Sequence, residues 1–116
     1  MRKTLVTKGW LVALALVFSA GIATAQDAAQ VKKGEQVYAA QKCSICHAIA
    51  GKGSKTNPLD GVGAKLSAAD IRAWIVTPVE AAAKAKSTKK PVMPAKYKGL
   101  PAADLDGLVA YMQSLK

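Results

Sequence analysis

The chain has 116 residues, 51% of them hydrophobic and 21% charged, which suits one small folded domain and excludes both a multidomain enzyme and a polar disordered segment. Lys and Arg number 17 against 7 Asp and Glu, a formal charge of +10. The N-terminal stretch differs from the rest and is read first.

Arg2, Lys3 and Lys8 precede an apolar run from Trp10 to Phe18, and Ala23-Thr24-Ala25 presents small residues where a signal peptidase cuts. Residues 1–25 therefore read as a cleavable secretory signal that sends the protein to the periplasm. The run is shorter than the roughly 20 residues needed to cross a bilayer core, so a retained anchor is the lesser reading, and no stable membrane insertion is expected after cleavage. Cleavage removes 25 residues and three cations, leaving residues 26–116 as a 91-residue domain with 14 basic and 7 acidic side chains. A domain this small gains from an added cohesive element such as a disulfide, a metal or a cofactor.

Val31, Gly34 and Tyr38 recur at spacings of three and four and predict a first helix over Gln30 to Lys42, with Gly34 marking a close backbone crossing. The glycines and Pro58 between Gly51 and Gly63 predict a compact loop without a helix. Ser67 and Asp70 have capping-box spacing, and Ile71, Trp74 and Ile75 form a stripe before Thr77-Pro78, which predicts a short helix over Ala68 to Val76. Val79 to Lys86 is alanine-rich and suits one or two helical turns, and Ser87 to Pro94 reads as an irregular loop holding Met93. Pro101 opens a last helix in which Leu105, Leu108, Val109, Met112 and Leu115 recur at helical spacing. No alternating run is long enough for a confident strand, so the domain is predicted to be all-α.

Cys43-Ser44-Ile45-Cys46-His47 gathers both cysteines and the single histidine of the chain. The C-x-x-C-H pattern has a specific chemical use: two thiols one helical turn apart add to the two vinyl groups of a porphyrin, and the adjacent imidazole meets the iron. Three other readings compete. A redox dithiol needs a β-α-β framework not visible here, a zinc site lacks a fourth ligand, and a disulfide leaves His47 without a role.

Taken in order, Gly34 and Tyr38, the C-x-x-C-H motif, Trp74 ahead of Thr77-Pro78, the Met93-Pro94 loop and the Leu108/Tyr111 helix resemble the class I, monohaem bacterial cytochromes c. The resemblance covers nearly all of residues 26–116. It implies a cytochrome c fold of three to five helices around one covalently bound haem c. It further implies thioethers at Cys43 and Cys46, His47 as proximal ligand, and packing of Gly34 and Tyr38 against the terminal helix near Leu108 and Tyr111. Trp74 would line the haem pocket, and the carbonyl of Pro58 would accept the imidazole proton. Asn57 stands where the family usually has glycine, and the Val79 to Lys90 connection is longer than in its shortest members.

The second axial ligand also follows from the residues themselves. With one histidine, bis-histidine ligation within the chain is excluded, and a thioether is the natural donor. Met1 leaves with the signal and Met112 belongs to the terminal stripe, whereas Met93 sits in a loop stiffened by Pro91 and Pro94. The alternatives are Lys96 or an open coordination position.

An iron with both axial positions filled favours outer-sphere electron transfer over catalysis, so an electron carrier rather than an enzyme is expected. The positive charge suits redox partners with acidic docking surfaces, such as an oxidase, reductase or dehydrogenase, with Lys42, Lys52, Lys55, Lys89, Lys90, Lys96 and Lys98 as the docking rim. Export, the haem motif and the scattered cations argue against nucleic acid, and a monomer is expected. The competing functions are a haem subunit of a periplasmic dehydrogenase or oxidase complex, and a weak peroxidase or gas-binding haem protein.

Overall fold

The computed structural model describes residues 27–116, so the expected signal at 1–25 and the start of the domain at 26 lie outside the described residues. The helices are α1 (residues 27–40), α2 (Val62–Lys65), α3 (Ala68–Val76), α4 (Pro78–Lys84) and α5 (Ala102–Ser114). Two 3-10 turns, Cys43–Ile45 and Ala95–Gly99, complete the helical content. This is the expected all-α architecture, with one small addition in the 48–53 hairpin.

α1 stops where Lys42 takes a left-handed backbone (φ 56°), and the chain turns at once into the Cys43–Ile45 turn. Its Gly34 meets Gly107 of α5. A Cβ at Gly34 would overlap the Gly107 carbonyl, so the two helices touch backbone to backbone only because both positions lack a side chain. Beside that crossing the rings of Tyr38 and Tyr111 meet edge to face at 5.8 Å. The expected packing of α1 on the terminal helix is therefore present.

The loop after the cysteines is more ordered than expected. Ala48–Ile49 pairs antiparallel with Lys52–Gly53 through the two-residue turn Ala50-Gly51, where both residues have positive φ as a tight hairpin turn requires. The prediction of a helix-free segment to Gly63 is corrected by α2, which incorporates Gly63. That glycine docks on the end of α5: its N–H donates to Leu115 O at 2.8 Å, and a side chain there would strike the Gln113 backbone. Tertiary contact at the C-terminal turn thus overrides a poor helical composition.

α3 begins as expected, with Ser67 Oγ accepting the Asp70 N–H at 3.1 Å and donating to the Asp70 carboxylate at 2.9 Å. It ends at Thr77, and Pro78, wholly buried, serves as the first residue of α4, where a missing N–H costs nothing. The core holds Val37 from α1, Ile71 and Ile75 from α3, Tyr97, and Leu108, Val109 and Met112 from α5. Ion pairs tie the outside of this frame, Lys33 to Asp104 at 3.0 Å and Arg72 to Asp106.

Candidate haem site

Between the helical frame and the loops lies an open cleft. Tyr38 lines it from α1, Cys43 and His47 from the first turn and the segment after it, Leu59, Val62 and Leu66 from the α2 region, Ile71, Trp74 and Ile75 from α3, Met93 from its loop, and Leu108 and Met112 from α5. The lining is almost wholly apolar.

The Cys43–Ile45 turn places the two thiols differently: Cys43 is half-buried at the cleft wall, and Cys46 is exposed. Burial is the largest influence on the Cys43 thiol and pushes its pKa up; its own backbone hydrogen bond and Lys96 oppose the rise, and Cys46 adds to it. The turn closes with His47 N–H donating to Cys43 O at 3.0 Å.

His47 is anchored from the other side of its loop. Its Nδ1 lies 3.0 Å from Asn57 O, and because a carbonyl only accepts, the proton sits on Nδ1 and the lone pair on Nε2. This corrects the expectation for Pro58. The carbonyl belongs to Asn57, one residue earlier, while Pro58 is exposed and lies off the cleft wall. The same Asn57 carbonyl accepts the Ala48 N–H at 3.4 Å, and Leu59 N–H donates to Ala48 O at 2.8 Å, so a ladder contact alongside Pro58 fixes which carbonyl faces the ring.

Both methionines reach the cleft. Met112 does so from the buried face of α5 within the core, and Met93, half-buried, from a loop that contains no helix. Trp74, half-buried on α3, stands on the cleft wall. Sequence reasoning missed Leu59, Val62 and Leu66, although their spacing of three and four residues is a helical stripe concealed by the surrounding glycines.

A flat, mostly apolar macrocycle with an iron centre fits this site. The walls are apolar, the donor set is two thiols, an imidazole with its Nε2 free and a thioether, and Tyr38 Oη is, among the described residues, the one buried side-chain polar atom with no hydrogen-bond partner.

The family model for cytochrome c matches residues 31–116. The chain belongs to the cytochrome c family. Membership implies a covalently bound haem c, one being the usual number for a chain of this size, and haem-based electron transfer. No curated protein and no solved structure matches the chain significantly. Among the described residues no helix is long and apolar enough to cross a membrane.

Proposed function

We propose that this cytochrome c is an exported single-electron carrier with His/Met ligation. In this reading Cys43 and Cys46 would carry the two thioethers, His47 Nε2 and Met93 Sδ would hold the iron, and Trp74 would line the haem pocket. The observation that carries the proposal is the convergence of Cys43, His47 and Met93 on one apolar cleft, with the imidazole held by Asn57 O so that Nε2 is its free nitrogen.

A bound haem supplies a one-electron couple. The chain does the rest. Asn57 O holds the His47 proton on Nδ1 and increases the basicity of Nε2. The apolar walls exclude water, which limits reorganisation and favours the less charged, reduced state. A thioether on the other face raises the potential relative to harder donors. With His47 and Met93 both holding the iron, no position on it would be left for substrate, which would favour a carrier over a peroxidase or gas binder.

The Cys43 to Cys46 edge is the proposed exit for the electron. Ile45 between the two cysteines is 70% exposed, and Lys42, Lys52, Lys55, Lys89, Lys90, Lys96 and Lys98 are all exposed and free of ion pairs among the described residues. An apolar contact ringed by cations suits a redox partner with an acidic docking surface. A periplasmic location after removal of residues 1–25, and action as a monomer, complete the reading.

The test is a pyridine haemochrome spectrum with an intact mass of the exported protein, together with two substitutions. The expected result is one haem bearing two thioethers on a chain starting at residue 26, and a far-red sulfur-to-iron band in the oxidised protein. Met93→Ala should lose that band, lower the potential and admit carbon monoxide, while Met112→Leu should keep it. Persistence of the band in Met93→Ala overturns the ligand assignment, and pigment released by acidified acetone overturns covalent attachment.

A further inference from the structure

The two loops that supply the proposed axial ligands are joined by one side chain. Lys89, four residues before Met93, sends its ammonium group to Asn57 Oδ1 at 3.1 Å and to Thr56 O at 3.3 Å. Asn57 is the residue whose backbone carbonyl accepts from His47 Nδ1. The cation therefore grips the acceptor residue by its side chain and by the carbonyl immediately before it, which fixes the peptide segment that carries Asn57 O. Lys89 is itself braced, its backbone N–H approaching Ser87 Oγ at 3.4 Å. Neighbouring Lys90, equally exposed, has no such hydrogen bond among the described residues.

We propose that Lys89 is a positioning residue for the proximal imidazole and that it sets the reduction potential through Asn57. The inference rests on the ligation reading above. Two effects act with the same sign. A positive charge near the site favours the state with one more electron. An ammonium group drawing on Asn57 and Thr56 also makes that segment a poorer acceptor, so the Nδ1 proton is held less toward the carbonyl and the imidazole donates less strongly to oxidised iron. Loss of Lys89 therefore lowers the potential.

The experiment measures the midpoint potential and the exchange rate of the His47 ring N–H in haem-loaded wild type, Lys89→Ala, Lys90→Ala and Lys89→Arg, at low and high salt. Lys90→Ala removes the same charge one residue away and controls for the long-range Coulomb effect, which salt screens. For Lys89→Ala the equilibrium constant for reduction should fall two- to fourfold, about 20 to 35 mV at 59 mV per tenfold for one electron. The ring N–H should exchange more slowly, because the Asn57 carbonyl relieved of the cation holds the proton more tightly. Lys90→Ala should shift the potential by less than half as much, the difference should survive high salt, and Lys89→Arg should restore most of both readouts. Equal behaviour of the two alanine variants in potential and in exchange overturns the proposal. Absence of the sulfur-to-iron band in wild type instead overturns the ligation reading, whatever Lys89 does.

Discussion

The helical frame and the loop half of this domain are built on opposite charge rules. Residues 41–59 and 85–100 hold eight of the 14 basic side chains of residues 27–116 and none of the seven acidic ones. The rest of that stretch has six basic and seven acidic residues and is close to neutral. On the frame, cations meet anions: Lys33 with Asp104, Arg72 with Asp106, Lys84 with Asp70 at 3.9 Å. On the loops they meet water or a neutral acceptor, as Lys89 does. Stability is therefore concentrated where backbones interlock, and the loop half is free to present a field and the groups that face the cleft.

The sharpest way to break this division is at the helix crossing. Gly34→Ala drives a methyl group into the Gly107 carbonyl and the Tyr111 side chain, neither of which can move without separating α1 from α5. The expected loss is about 2–3 kcal/mol of unfolding free energy, read from denaturant midpoints. Gly99→Ala, on the loop half with open space where its Cβ would stand, should change stability by no more than about 0.5 kcal/mol. Similar losses at the two sites would show that the frame is not the seat of stability.

How legible this was in the sequence depends on whether a residue speaks through local spacing or through a distant partner. α3 was legible to the residue, because its cap, its stripe and its terminating Thr77-Pro78 are all local signals. The glycine at position 34 announced a close crossing, since a helix tolerates that residue poorly without a reason. The C-x-x-C-H motif was legible because its chemistry demands adjacency, and the structure brings its Cys43 and His47 to the cleft. Asn57 was missed because the choice between two successive carbonyls is made by the Ala48–Leu59 contact, a pairing across the loop that no local pattern encodes. α2 was missed for the same reason, its order depending on α5 some fifty residues later.

Alkaline pH gives the next largest effect and strikes mainly at the frame. Burial, the first cause in each case, raises the hydroxyl pKa of Tyr38, Tyr97 and Tyr111 above the ordinary 10.0, with Glu35 adding to the rise at Tyr111. A folded-state value above the unfolded one means that the stabilising contribution is complete below pH 10 and is lost as pH rises through the folded-state values. The loss is at most about 1.4 kcal/mol per pH unit for each tyrosine, and less for half-exposed Tyr111, where water screens the effect. Unfolding free energies measured from pH 8 to 11 should fall beyond pH 10 together with delayed tyrosinate absorbance, and Tyr97→Phe should blunt the fall. Ordinary titration of all three tyrosines with unchanged stability would contradict this account.

The smallest effect on stability is expected from the loop lysines, and there the two halves separate most clearly. Lys42 adjoins Cys43, and Lys96 is close enough to act on the charge of that thiol. Reversing the pair, Lys42→Glu with Lys96→Glu, should leave the unfolding free energy within about 0.5 kcal/mol, because neither forms an ion pair among the described residues. The same change should slow electron transfer with an acidic redox partner by tenfold or more at low salt, and the gap should close as salt screens the field. Lys32→Glu with Lys65→Glu alters net charge equally but on α1 and α2. If that control slows transfer as much, net charge alone steers the encounter; if only the cleft pair does, the asymmetry of the two halves directs the partner to the edge where the electron leaves.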